Sequence, residues 1–250
     1  YWVSFAGIVE VAGGTPVYVQ AGFADGLKMT PDRLAAAITP RTRWVIVNSP
    51  SNPTGMGYSA DELRALADVI RPHRQVMVLS DDLYEHLVYD GFEFSTLAAL
   101  APDMADRIMT LNGVSKSYCM TGWRIGFAAA PAPLVKAMAK LQSQSTSCPN
   151  SIAQHAAIAA LDGPTDFIAR NNAAFARRRA RVLAALVDAH PEFVAAHLDA
   201  LREQLLAVLN SKERIPQVTR RGDHFYNLWR DDAHPRGLWR RTTLAEYRQP

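Results

Sequence analysis

Residues 111–126 read LNGVSKSYCMTGWRIG, and the interpretation of the rest of the chain starts from this stretch. An apolar run of strand character precedes it at 107–111, and another follows at 125–130. Between them Lys116 lies in a Gly- and Ser-rich turn, and Arg124 comes eight residues later. A desolvated lysine amine loses its proton readily, and an arginine offers phosphate a planar fork of donors. The stretch therefore predicts a lysine that forms a Schiff base beside a bound phosphate; the alternative is a solvated lysine in a plain strand–turn–strand.

Two apolar runs upstream, at 43–47 and 75–80, have the length and continuity of strands buried on both faces. A helical pattern lies between them at 59–70, where Ser59 and Glu62 have the spacing of a capping box. The apolar stripe of this helix comprises Leu63, Leu66, Ala67 and Ile70. This series predicts an α/β fold with a mostly parallel sheet flanked by helices.

The N-terminal part is expected to add strands and one short helix. Residues 1–5 are aromatic and β-prone, and residues 11–19 are expected to form a turn that leads into a strand. A short helix is predicted at 29–38, with Thr30 as its cap and Pro31 at its first position.

After the lysine stretch the chain is expected to be mainly helical. The predicted helices are 133–141, 151–161, 165–189 and 193–209. His190-Pro191 should end or kink the third of them. Beyond Ser211 no periodicity is evident, and little order is expected there.

The composition is that of an ordinary globular protein, with 48% hydrophobic and 20% charged residues in a chain of 250. No apolar run is long enough to span a bilayer, so we expect no membrane partner. Cys119 and Cys148 lack metal or redox spacing, and we expect reduced thiols in a cytoplasmic protein. Residues 170–250 hold 15 Lys and Arg against 9 Asp and Glu, but short clusters such as 177–179 favour a solvated helix face over a nucleic-acid partner.

Polar side chains follow each predicted strand at the point where the strand ends. Asn52 follows the first strand, Asp81 the second and Lys116 the third, with Arg124 close behind. Tyr84, three residues past Asp81, would face the same way if a helical turn starts there. Each residue alone has an ordinary explanation, as a turn, a cap or a core residue. Together they predict one site, because ligands bind beyond the carboxyl ends of strands in open parallel sheets.

In this order, the motifs resemble those of the fold type I pyridoxal-phosphate (PLP) enzymes, and most closely the class I and II aminotransferases of the aspartate aminotransferase kind. Residues 51–55, SNPTG, are similar to the family's asparagine loop, and residues 80–85, SDDLYE, to its acidic strand end. Residues 115–126 resemble its lysine signature. Residues 1–4, YWVS, resemble the segment that supplies an aromatic ring to the cofactor.

The resemblance implies that pyridoxal 5'-phosphate is the cofactor. Lys116 would carry it as a Schiff base and move a proton between the substrate Cα and the cofactor. Asp81 would pair with the pyridine nitrogen and keep it protonated, so that the ring accepts electrons. Tyr84 and Asn52 would hydrogen-bond the 3' oxygen, and Asn52 would also contact the substrate carboxylate.

Three further roles follow from the same resemblance. Arg124 would bind the cofactor phosphate, with Ser115 as a helper. Trp2 would stack on the ring face and border the substrate; the alternative for Trp2 is a plain hydrophobic edge residue.

The activity implied is transfer of an amino group between an amino acid, aspartate-like or other, and a 2-oxo acid, by a homodimer. Residues 1–164 would form part of the PLP-binding large domain, and residues 165–250 a linking helix with a partial or divergent small domain. The alternatives are a PLP-dependent lyase or synthase of the same fold, a PLP-binding sensor domain of a transcriptional regulator, and an inactive fragment.

The resemblance is incomplete at both ends. Family members carry, upstream of the match to residues 1–4, a helix N-terminus that holds the phosphate, and this chain starts at Tyr1 without a Met. The family's arginine for the substrate α-carboxylate has no clear match after Arg181. We therefore expect the chain by itself to be weakly active or inactive as an aminotransferase.

Overall fold

A computed structural model of the protein describes residues 1–189, 218–221, 224–229 and 238–243. The chain divides into two compact units, residues 1–178 and 179–250. The helices are α1 (Ser4–Val11), α2 (Pro31–Ala37), α3 (Ala60–Ile70), α4 (Leu97–Leu100), α5 (Ala132–Ser143), α6 (Ser151–Asp162) and α7 (Asp166–Ala189). The strands are β1 (Trp44–Asn48), β2 (Met77–Asp81), β3 (Ile108–Gly113), β4 (Gly126–Ala129), β5 (Val218–Arg221), β6 (His224–Trp229) and β7 (Leu238–Thr243).

The sheet of the first unit has the strand order β1-β2-β3-β4. β1, β2 and β3 are parallel, whereas β4 runs antiparallel to β3. The α/β fold with a mostly parallel sheet is therefore confirmed. In the register, Asn48 lies opposite Asp81, and Gly113 lies opposite Gly126. The carboxyl ends of the three parallel strands and the amino end of β4 thus meet at one edge of the sheet.

Helix α3 matches its prediction in detail. The Oγ of Ser59 accepts a hydrogen bond from the Glu62 N–H at 3.2 Å, and Glu62 Oε2 accepts from the Ser59 N–H at 2.8 Å. The predicted apolar stripe is buried in the core that α3 shares with the sheet: Leu63, Leu66, Ala67 and Ile70. Each large apolar side chain buried in this way contributes about 1.5–3 kcal/mol, so the stripe fixes α3 on the sheet.

We expect Ser59→Ala to lower the free energy of unfolding by about 1 kcal/mol, because the N–H of Glu62 loses its acceptor at the start of α3. Urea denaturation followed by circular dichroism measures this change. Ser143→Ala is the matched control, since Ser143 is exposed at the end of α5 and its Oγ bonds only locally, donating to the Lys140 carbonyl and accepting from Gln144 Nε2. Equal losses in the two variants would contradict the capping role.

Arg107 closes the other end of α3. The residue is 3% exposed, and burial lowers the pKa of its guanidinium. Two of its nitrogens, Nη1 and Nη2, donate to four main-chain carbonyl oxygens at 2.7–3.4 Å, those of Ile70, Arg71, His73 and Val76. These carbonyls include groups that the last turn of a helix leaves without partners. A single side chain therefore joins the end of α3 to the segment that enters β2.

Helices α2, α5, α6 and α7 lie close to their predicted positions. Thr30 caps α2, with its Oγ1 accepting from the Arg33 N–H at 3.4 Å, and Pro31 is the first helical residue. α5, α6 and α7 correspond to the predicted ranges 133–141, 151–161 and 165–189. The predicted helix at 193–209 and the stop at His190-Pro191 lie outside the described residues.

The strand expectations for residues 1–19 are wrong. α1 begins at Ser4 inside the β-prone segment 1–5. A turn does follow, with Gly13 at φ +77°, but no strand comes after it within residues 11–19. A strand needs a neighbouring strand for its backbone hydrogen bonds, whereas a helix forms them within itself. A high β-propensity is therefore weak evidence that a segment forms a strand.

The expectation of little order beyond Ser211 is also wrong. β5, β6 and β7 form an antiparallel sheet in that order. An antiparallel sheet commonly exposes one face to water, so its strands can carry charged residues and still pair. In the sequence, Gly222 and Asp223 separate β5 from β6. A two-residue pair of this type is a sequence signal for a hairpin, which helical periodicity does not reveal.

Two negative findings apply to the described residues alone. None of their helices combines the length and the apolar character that crossing a membrane requires. They also contain no group of three or more His, Cys, Asp or Glu that could hold a metal ion.

Candidate active site

The turn between β3 and β4 carries Lys116. Its Nζ lies 5.7 Å from the centroid of the Tyr84 ring, and both residues are partly buried. Gly113, the last residue of β3, lets Ile125 and Leu83 pack closely against this strand, because a Cβ there would lie 3.0 Å from the Ile125 carbonyl oxygen and 3.3 Å from a Leu83 methyl group. The sheet edge therefore brings the lysine turn against the segment that follows β2.

Asp81 is the last residue of β2 and is partly buried. Its Oδ1 accepts a hydrogen bond from the Leu83 N–H at 3.2 Å, and burial raises the pKa of its carboxyl group despite this bond. Asp82 is only 3% exposed and accepts a 2.7 Å hydrogen bond from Ser80 Oγ. The Asp82 carboxylate is thus buried and already hydrogen-bonded, whereas the Asp81 carboxylate remains available to a ligand at this edge of the sheet.

We expect Asp81→Asn to stabilise the ligand-free chain at neutral pH by up to about 1 kcal/mol. A carboxyl group whose pKa is raised by folding destabilises the folded state when ionised, and asparagine removes that charge. This destabilisation is absent below the pKa that Asp81 has in the unfolded chain, ~4, and it develops as the pH rises through and above that value.

Denaturation of wild type and Asp81→Asn between acid and neutral pH measures this difference. Asp106→Asn, at an exposed position, is the control for the loss of a surface carboxylate. A pH-independent difference for Asp81→Asn would contradict the raised pKa.

Asn52 lies in the loop that follows β1 and is partly buried. Its N–H donates to Asn48 Oδ1 at 2.8 Å, and Asn48 Nδ2 donates to the Asp81 carbonyl oxygen at 3.2 Å. The structure thus links the predicted residues Asn52 and Asp81 through Asn48, which sequence reasoning did not select. The available signal was its place as the last, polar residue of an apolar strand.

Tyr84 lies in a tight turn, as its predicted orientation requires. The Glu85 N–H donates to the Asp82 carbonyl at 2.9 Å, and the Leu87 N–H donates to the Tyr84 carbonyl at 2.8 Å. Asn112 of β3 holds this turn, because its Nδ2 donates to Glu85 Oε1 at 2.7 Å. Sequence reasoning also missed this second asparagine near a strand end.

Ser115 and Arg124 lie on the same β3–β4 connection as Lys116. Arg124 has a left-handed backbone with φ +57°, is exposed, and donates from Nη1 to the Thr121 carbonyl at 2.9 Å. Its other guanidinium donors leave capacity for an anion. Ser115 is partly buried next to the lysine.

Trp2 precedes α1, is 44% exposed, and makes an edge-to-face ring pair with Phe5 at 5.6 Å between centroids. Among the described residues, no hydrogen bond, ion pair or ring contact joins Trp2 or Arg124 to Lys116. The described contacts join Asn52 to Asp81 through Asn48, and Lys116 to Tyr84.

Comparison with known proteins agrees with this arrangement. Residues 1–209 match the family described as aminotransferase class I and II. The chain is 58% identical over 189 residues to an aspartate/prephenate aminotransferase of Cereibacter sphaeroides, an alignment that covers 76% of this chain and 47% of that protein. It is 53% identical over 179 residues to an aspartate aminotransferase of Rhizobium meliloti, covering 72% of this chain and 44% of that protein. The chain thus spans about half the length of the curated relatives it matches.

Solved structures show the same relationship. The aspartate aminotransferase from Rhizobium meliloti superposes with a TM-score of 0.71 at 53% identity, over 72% of this chain and 45% of that one. The Thermus thermophilus aspartate aminotransferase with maleate superposes with a TM-score of 0.70 at 40% identity, over 75% of this chain and 49% of that one. The fold is therefore that of the PLP-dependent transferases. Within that class, the chain belongs to the class I and II aminotransferase family.

Proposed function

We propose that the protein is a PLP-dependent aminotransferase that moves an amino group between an amino acid and a 2-oxo acid. The observation that carries this proposal is the placement of Lys116 beside Tyr84 at the sheet edge where β2 ends in Asp81. The printed names of the relatives, aspartate and aspartate/prephenate aminotransferases, favour an aspartate-like amino donor.

The residues at this edge fit pyridoxal phosphate. Burial raises the pKa of the Asp81 carboxyl group, so a positive charge directly beside it would favour its ionised form. A protonated pyridine nitrogen would supply that charge. When bound, the cofactor provides a ring that accepts electrons from the substrate Cα.

The side chains of the chain itself have distinct tasks in this proposal. Lys116 Nζ holds the cofactor covalently and moves the proton at the substrate Cα. Tyr84 and Asn52 hydrogen-bond the ring oxygen, and Asn52 also contacts the substrate carboxylate. Ser115 and Arg124 bind the phosphate.

Three points complete the proposal. The exposed indole of Trp2 stacks on the ring and borders the substrate. The protein is a homodimer, as oligomers with closed symmetry most often are. It acts in the cytoplasm, because the free and exposed thiols of Cys119 and Cys148 suit a reducing compartment.

The test is uptake of pyridoxal phosphate by the purified chain, followed by visible absorption, borohydride reduction and peptide mass analysis. A label on Lys116 is expected, and incubation with aspartate and 2-oxoglutarate should then give glutamate and oxaloacetate at a low rate. Label spread over surface lysines would contradict the proposed site. Ammonia and pyruvate released from cysteine, whose Cβ carries a sulfur leaving group, would instead indicate a lyase of the same fold.

A further inference from the structure

We propose that Asn48 is a positioning residue of the candidate site, which fixes the Asn52 loop on the carboxyl end of β2. The inference rests on the proposed function, because Asn52 and Asp81 are the groups whose relative position Asn48 would set. Asn48 itself is not assigned a contact with cofactor or substrate.

One carboxamide makes both connections. Asn48 Oδ1 accepts from the Asn52 N–H at 2.8 Å, and Asn48 Nδ2 donates to the Asp81 carbonyl oxygen at 3.2 Å. A main-chain N–H can only donate and a carbonyl oxygen can only accept, so the two partners permit a single orientation of the amide. The side chain is therefore fixed at both of its polar atoms.

The other hydrogen bonds of the loop do not replace this link. Ser51 N–H donates to the Met56 carbonyl at 2.9 Å, and Gly55 N–H donates to the Ser51 carbonyl at 2.7 Å, so these bonds close the loop on itself. Tyr58 N–H donates to Ser49 Oγ at 3.0 Å and holds the far end of the loop. The Ser49 N–H donates to the Asp81 carbonyl oxygen at 3.2 Å, so the main chain already holds the start of the loop on β2. Among the described hydrogen bonds, the Asn48 carboxamide is the connection that extends this attachment to Asn52.

The consequence concerns two groups that act on one rigid ligand. Asp81 and Asn52 would bind different atoms of the same pyridine ring, so a shift of the loop relative to β2 would impair both contacts. Misplacement of binding groups by about 1 Å can reduce function on the order of 100-fold. We therefore expect Asn48→Ala to weaken pyridoxal phosphate binding by roughly 10- to 100-fold.

Two variants distinguish the role of Asn48 Oδ1, the acceptor for Asn52, from that of Asn48 Nδ2, the donor to Asp81. Asn48→Ala removes both connections, whereas Asn48→Asp keeps the shape and the acceptor for Asn52 but turns an oxygen toward the Asp81 carbonyl oxygen. Asn171→Ala is the control for the loss of another amide contact near the site, because Asn171 Nδ2 on α7 contacts Cys119 Sγ of the β3–β4 connection at 3.6 Å. All three are compared with wild type in the full chain.

The first readout needs no ligand: amide hydrogen exchange at Asn52, followed by NMR. Protection of the Asn52 N–H should be lost in Asn48→Ala and kept in Asn48→Asp and Asn171→Ala. Unchanged protection in Asn48→Ala would overturn the proposal.

The second readout is the dissociation constant of pyridoxal phosphate, measured where each variant is folded. Weaker binding in Asn48→Ala and Asn48→Asp than in Asn171→Ala supports positioning. Wild-type affinity in both Asn48 variants, together with reduced stability, would overturn it in favour of a structural role. If wild type binds no pyridoxal phosphate, the proposed function fails and the positioning role with it, while hydrogen exchange still shows whether the link exists.

Discussion

Replacing Lys116 with alanine is expected to abolish the reducible attachment of pyridoxal phosphate and to lower any transamination rate by roughly 10³-fold or more. The reason is that no other amine lies on the β3–β4 connection, residues 114–125, and the variant loses both the covalent anchor and the proton-transfer group. Reduction with borohydride followed by peptide mass analysis measures the first effect, and a coupled assay for aspartate transamination measures the second.

Two further variants make this result specific. Lys116→Arg keeps a positive charge near the Tyr84 ring but cannot form the covalent link. It should therefore lose the attachment of pyridoxal phosphate and the transamination rate as Lys116→Ala does. Lys136→Ala, on the exposed surface of α5, should retain the label and the rate of wild type. A labelled Lys116→Ala protein that still turns over would rule out the assignment of Lys116.

Replacing Arg107 with methionine is expected to give the largest loss of stability, about 2–4 kcal/mol. The apolar part of the side chain is retained, but four carbonyl oxygens lose a charged donor in a site where Arg107 is 3% exposed. Hydrogen bonds to charged donors contribute more than neutral ones, and these bonds close the end of α3. Urea denaturation followed by circular dichroism measures the change.

Arg74→Met is the matched control, because Arg74 is exposed and lies near Arg107 with the same charge. It should leave stability unchanged or raise it slightly. The stability of Arg107→Lys should lie between those of wild type and Arg107→Met, since a compact ammonium group cannot reach all four carbonyls as the planar guanidinium does. Similar losses in Arg74→Met and Arg107→Met would refute the closing role of Arg107.

The parts of the fold that were predicted well are those that local chemistry determines. The capping box of Ser59 and Glu62 and the apolar stripe of α3 involve residues within three turns of each other, so their pattern is complete in the sequence. β1, β2 and β3 were found within one or two residues because each reads as a continuous apolar run of strand length. The predicted burial on both faces is not found in β1 and β2, where buried residues alternate with exposed or partly buried ones.

The parts that were missed depend on distant partners. Whether residues 1–5 form a strand depends on a neighbouring strand to pair with, and the short helix α1 forms there instead. β5, β6 and β7 pair with one another across intervening residues, and their arginines concealed the strand pattern.

The candidate site shows the same division. The rule that polar residues gather at the carboxyl ends of parallel strands selected Asn52, Asp81 and Lys116, and the register places the ends of β1, β2 and β3 at one edge. The roles of these residues toward a cofactor remain predictions. Asn48 and Asn112 were missed because a side chain that holds another loop has no motif of its own; only the hydrogen bonds reveal it.

The strand order β1-β2-β3-β4 means that each strand of this sheet pairs with the one synthesised just before it. On the ribosome, β2 can therefore dock on β1 and α3 as soon as it emerges, without waiting for a distant segment. The order limits each pairing to consecutive strands, although the parallel pairs still join residues about 30 positions apart, such as Val45 with Val78 and Val78 with Ile108. The same order that collects the candidate site at one edge thus suits the sheet to stepwise assembly during translation.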